Sequence, residues 1–135
     1  MELFFLIHLT LMLLGFLLLV AGVITVRYFR KKMWWFRLHK RMGFLATISF
    51  FVGGIAAVLM VYLSGGNHFA VPHTWLGVIV IVIMAGTLVA GLAQTRVINK
   101  TRMRLVHRTL GRTVAVLSLL AVVTGAIVAG IIPGP

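Results

Sequence analysis

Four long apolar stretches divide the chain, with short polar or charged links between them. They cover about residues 3–27, 36–63, 73–95 and 104–131. Each is long enough to cross a bilayer, for which about 20 consecutive apolar residues are needed. The first does not read as a cleaved leader. It opens on "MEL", with an acid and no Lys or Arg, it is too long, and no small-residue cleavage site stands out. Paired glycines and an Asn in "SGGN" at 64–67 supply turn chemistry after the second stretch. Pro72 suits the first turn of the third, where its missing N–H costs nothing. The tail "PGP" at 133–135 ends the fourth. The pattern predicts one all-α integral membrane domain over residues 1–135. Its short links predict a four-helix bundle running up-down-up-down, with both termini on the outer side.

Composition and charge sharpen this picture. The chain is 61% apolar with a mean hydropathy of +1.14, too apolar for a soluble domain of its length. Glu2 is the one acid against thirteen Lys and Arg. In a soluble protein that balance would suggest nucleic acid. Here long uncharged runs separate the cations, so no nucleic-acid partner is expected and membrane lipid is. Arg27, Arg30, Lys31, Lys32, Arg37, Lys40 and Arg41 lie around the first link, and Arg96, Lys100, Arg102, Arg104, Arg108 and Arg112 around the third. The second link and both tails carry none. In a four-span chain all these cations face one compartment, which the positive-inside rule makes the cytoplasm. Most of them read as topological signals that also attract anionic lipid. With no cysteine, the chain is excluded from disulfides, thiol chemistry, Cys-ligated iron–sulfur clusters and covalent haem attachment.

Five histidines remain, and four of them fall one per span: His8, His39, His73 and His107. His68 lies in the second link. The intervals 39 to 73 and 73 to 107 are equal, and three of these histidines open the pattern H-x-x-x-G, in "HKRMG", "HTWLG" and "HRTLG". Positions i and i+4 share a helix face, so each has a glycine one turn along on its own side. His8, Gly15 and Gly22 also share a face. Such glycines serve either close helix packing or room for a flat ligand, and three in register favour the second. His8 and His73 begin their spans from the outside; His39 and His107 begin theirs from the inside. From His8 to Arg27 the helix rises roughly 28 Å, most of a hydrocarbon core. The four histidines thus form two pairs at different heights, on helices that sit diagonally in a four-helix square. A haem gripped by two axial imidazoles matches that arrangement. Ionisable groups inside spans are functional candidates by default; interhelical hydrogen bonding is the plain alternative. Clustered zinc ligands and intramembrane carboxylates for a proton relay are not in the sequence. Met12, Met42, Met60 and Met84 read as core filling.

The stretches "HLTLMLLGFLLLVAGVITVRYFRKK", "WWFRLHKRMGF", "NHFAVPHTWLG" and "HRTLGR" together resemble the four-helix core of the cytochrome b561 superfamily, over about residues 8–125. The resemblance implies a transmembrane electron-transfer protein with two haem b, one held by His8 and His73, the other by His39 and His107. It implies an oxidoreductase of ascorbate-, quinol- or ferric-reductase type, with a small-molecule or protein electron donor and acceptor, and assembly as a homodimer. His68, a loop histidine shortly before the third ligand, also matches the family. Only the four core spans are present, so the chain looks like a compact prokaryotic inner-membrane relative or a haem-bearing subunit of a larger redox complex; a haem-free scaffold or carrier is the remaining alternative. Around the inner ligands, Arg37, Lys40, Arg41, Arg108 and Arg112 are candidates for haem propionates or an anionic partner. On the outer side His68, Asn67 and Tyr62 are the polar candidates. Trp34 and Trp35 suit the aromatic belt. An imidazole that binds iron needs a partner for its other N–H, for which Thr10, Thr47 and Thr113 are candidates.

Overall fold

The structure, a computed structural model, describes residues 2–94 and 96–133. The expected end of the third span at residue 95 and the last two residues of "PGP" lie outside them. Helices α1 (Glu2–Tyr28), α2 (Trp35–Leu63), α3 (Pro72–Ala93) and α4 (Lys100–Val128) follow one another, with no strand among the described residues. All four are long and apolar enough to cross a membrane. The all-α, four-span expectation therefore holds. The chain divides into two compact units, Met1–Gly66 and Asn67–Pro135. The first is the hairpin of α1 and α2, the second the hairpin of α3 and α4.

Both hairpins close over seams of small residues. In α1 the buried positions are Gly15, Leu19, Gly22 and Thr25; in α2 they include Ala46, Ser49, Phe50, Gly53 and Ala56. Spacings of three and four keep each set on one stripe. Lipid is as apolar as leucine, so membrane helices gain by close contact rather than by hiding grease. Gly15 shows how close: a Cβ added there would stand 3.3 Å from both Phe50 Cδ2 and Ser49 Cβ. In the second hairpin Val80, Met84, Thr87 and Ala90 of α3 are buried, as are Val114 and Ser118 of α4. Seam hydroxyls turn back onto their own helices. Thr25 donates to Ala21 O at 2.8 Å, Thr87 to Ile83 O at 2.7 Å and Ser118 to Val114 O at 2.6 Å. Among the described residues no buried side-chain N or O is left without a hydrogen-bond partner.

Helix ends follow local chemistry. Pro72 is the first residue of α3, as expected. Helix α4 begins earlier than the apolar pattern suggests, because Asn99 Oδ1 accepts the Arg102 N–H at 2.9 Å and caps its first turn. It also ends earlier, which corrects the expectation that "PGP" stops it. Gly130 takes φ +69°, with Gly130 N–H donating to Ile127 O and Ile131 N–H to Ala126 O, both at 2.9 Å. That is a Schellman stop, which glycine makes without steric cost. Gly65 ends α2 in the same way, at φ +67°. In the link after α1, Trp34 packs on Phe29 with ring centroids 5.4 Å apart, and the Arg30 guanidinium lies 5.9 Å from the Trp35 ring.

Gly15→Leu should force α1 and α2 apart, at a cost of about 1–3 kcal/mol typical of overpacking. Circular dichroism melts in detergent should show a clear fall in Tm, while Gly43→Ala, whose Cβ would meet nothing within 4 Å, should melt like the parent chain.

Candidate functional site

All four span histidines are half-buried, and each reaches across to the other helix of its own hairpin. The His8 Nδ1–H donates to Gly53 O at 2.9 Å. The His39 Nδ1–H donates to Gly22 O at 3.1 Å. In the second hairpin the His107 Nδ1–H donates to Thr87 O at 2.9 Å, and the His73 Nδ1–H donates to Thr124 Oγ1 at 3.2 Å. A carbonyl can only accept, so three of these bonds require the proton on Nδ1. The fourth follows because the Thr124 hydroxyl gives its own hydrogen to Leu120 O at 2.9 Å, shared with Ala121 O at 3.2 Å. In each neutral ring the lone pair is then on Nε2. This is how a ligating imidazole is oriented: one nitrogen is anchored by the protein and the other serves as the ligand.

The anchoring partners differ from those the sequence suggested. Thr47 donates to Gly43 O on its own helix, and Thr10 and Thr113 are exposed. Two backbone carbonyls of glycine, one of threonine and the Thr124 hydroxyl take their place. Glycines make room for the rings. A Cβ at Gly125 would stand 2.8 Å from His73 Cε1, and one at Gly91 3.0 Å from His107 Cε1. A faint signal existed for two of the acceptors: Gly22 and Gly53 follow their own helix's histidine at the same interval, about four helical turns. The H-x-x-x-G glycines behave otherwise. A Cβ at Gly43 or Gly77 would meet nothing within 4 Å, and one at Gly111 only Thr87 Cγ2 at 3.9 Å. Close packing within the hairpins therefore does not explain that motif.

The remaining candidates divide by position. Arg37, Lys40 and Arg41 are exposed on the first turns of α2, flanking His39. Arg108 and Arg112 are exposed on α4 beside His107; Arg108 shares an open groove with Arg102 and Arg104. Each hairpin thus has one histidine at its basic end, and one, His8 or His73, at the opposite end. His68 is half-buried in the link before α3. There Asn67 Oδ1 is engaged locally, accepting the Phe69 N–H at 3.0 Å, and Phe69 packs on Trp75 with centroids 4.5 Å apart. Tyr62 is exposed at the end of α2. Met84 is buried in the α3 seam and Met12 lies against Gly53, both as core filling. Among the described residues no group of three or more His, Cys, Asp or Glu gathers as a metal-ion site.

The sequence matches the model of the family described as eukaryotic cytochrome b561 over residues 7–132. The chain belongs to the cytochrome b561 family. No curated protein and no solved structure gave a significant match. The family implies a haem b cytochrome of electron transfer in a membrane, and the residues present fit such a group. All four span imidazoles carry the tautomer that puts the ring lone pair on Nε2, and no cysteine is present for covalent attachment. The helix surface one turn beyond His39 and His73 is kept flat by glycines whose added Cβ would meet nothing within 4 Å.

Gly125→Ala should push the His73 ring off its seat and cost about 1–3 kcal/mol; the check is a lowered Tm in detergent. Gly77→Ala, on the same hairpin, should leave Tm unchanged.

Proposed function

We propose that the chain passes single electrons across a membrane through two b-type haems, one held by His8 and His73 and the other by His39 and His107. The observation that carries this reading is the shared state of the four imidazoles. Each is anchored through Nδ1–H, which makes Nε2 the ligating nitrogen of the neutral ring. When bound, haem supplies the one-electron couple of its iron. The chain supplies ligation, orientation and field. Two protein nitrogens per iron would leave it no open position, which suits electron transfer and not oxygen activation. His8 and Gly22 are both on α1, and Gly22 is level with His39 through their hydrogen bond. The two anchoring points of this hairpin are therefore separated by about 21 Å along the helix, enough to serve both membrane faces.

Charge gives the two ends different work. Arg37, Lys40 and Arg41 stand at the His39 end of the first hairpin, and Arg108 and Arg112 at the His107 end of the second. There they neutralise propionates or draw an anionic electron donor or acceptor to the membrane face. Their excess marks that end as cytoplasmic. At the other end His68 is the polar side chain placed to meet a propionate or partner.

Purified protein should contain two haems per chain and give the sharp reduced bands of bis-imidazole b-type haem. His73→Ala and His107→Ala should each lose one haem and keep the other, by pyridine haemochrome quantitation. A haem-free chain, or loss of both haems in either variant with helicity intact by circular dichroism, would overturn the reading.

A further inference from the structure

The histidine anchors follow a rule with one departure. His8 donates to Gly53 O, and Gly53 stands about four helical turns after His39 on α2. His39 donates to Gly22 O, and Gly22 follows His8 on α1 at the same interval. Each helix of the first hairpin thus receives its partner's histidine at the same distance from its own. Because the interval is close to a whole number of turns, histidine and acceptor share one face. In the second hairpin His107 donates to Thr87 O, and Thr87 follows His73 at that interval again. The fourth acceptor by this rule would be the carbonyl of Ala121, which follows His107 in the same way. His73 donates instead to Thr124 Oγ1 at 3.2 Å, and that hydroxyl donates onward to Leu120 O at 2.9 Å and Ala121 O at 3.2 Å. A hydroxyl has been inserted between the ring and the expected carbonyl.

Resting on the reading that His73 is a haem ligand, we infer that Thr124 is the positioning residue that raises the midpoint potential of the haem His73 holds. The partner of a ligating imidazole's second N–H fixes the ring and raises its basicity. A hydroxyl oxygen is an intrinsically weaker acceptor than the oxygen of a helix amide, even with its own hydrogen given to Leu120 O and Ala121 O. Bonded to that hydroxyl, the His73 ring gains less electron density as a ligand than it would from a carbonyl, and so favours ferric iron less. The haem it holds has a higher midpoint potential than a carbonyl at that place would give. Gly125, next to Thr124, makes the arrangement possible, since a Cβ there would stand 3.4 Å from His73 Nδ1 and 2.8 Å from Cε1.

The test compares Thr124→Val with Thr124→Ser in the full-length, haem-loaded protein. Valine keeps the shape and puts a methyl between His73 and the Ala121 carbonyl; serine keeps the hydroxyl. Redox titration followed by optical spectra should show one midpoint rising in Thr124→Val and the other unmoved. Low-temperature electron paramagnetic resonance should show the low-spin ferric signal of one haem displaced. Thr124→Ser should restore both readouts. Loss of one haem in Thr124→Val alone, with full content in Thr124→Ser, also supports the assignment. Unchanged midpoints in Thr124→Val, a fall, equal movement of both haems, or a serine variant that behaves like valine would overturn it. Parent protein without haem would instead overturn the function proposed above, which separates the two failures.

Discussion

A polar N–H cannot be left unpaired inside a hydrocarbon layer, and the histidine anchors answer that constraint four times over. Each Nδ1–H is bonded to the opposite helix of its hairpin. Three acceptors are helix carbonyls, which hold a second lone pair after serving their own helix, so the bond opens no helical turn. The same contact has three consequences. It ties the two helices together, it helps fix their register, and it fixes which ring nitrogen carries the proton. A register slip of one residue in either hairpin would break all three at once. On the proposed reading, hairpin packing and ligating chemistry therefore share one set of hydrogen bonds.

Glycine does two separate jobs around these rings. Gly15, Gly22, Gly53, Gly91 and Gly125 let the hairpin partners approach, and a side chain at any of them would meet its neighbour within 3.6 Å. Gly43 and Gly77 face nothing nearer than 4 Å, yet each stands one turn from a histidine. A small residue that packs against nothing has no value to the hairpin itself. On the proposed reading, its value is a smooth surface beside the imidazole for a flat macrocycle.

The spans, their links and the four histidines were legible in the sequence because hydropathy and residue type carry them directly. So was the share of the α1 seam marked by His8, Gly15 and Gly22. The atoms that anchor the rings were not. Every residue has a carbonyl, so the residue type marks no acceptor; the equal interval from each helix's own histidine was the one faint signal, and only the packed hairpin gives it meaning. Reasoning from side-chain chemistry pointed to Thr10, Thr47 and Thr113, of which Thr47 serves its own helix. Thr124 has a side-chain signature, but the residue it serves lies 51 positions away. The end of α4 was missed for another reason: Pro133 is the stronger helix breaker, but Gly130 comes first and closes the last turn.

Charge is distributed unequally between the two ends of each hairpin. All thirteen cations flank the links next to His39 and His107, while His8 and His73 have none near them in sequence. On the proposed reading, that asymmetry alone favours the electron at the basic end, because positive charge stabilises the reduced centre. The hydroxyl between His73 and the Ala121 carbonyl acts on the other end, and in the same direction, by making its ligand less basic. The two influences therefore narrow the difference in potential that charge would impose. Centres of similar potential about 21 Å apart along the helices let an electron cross without a deep trap at either face.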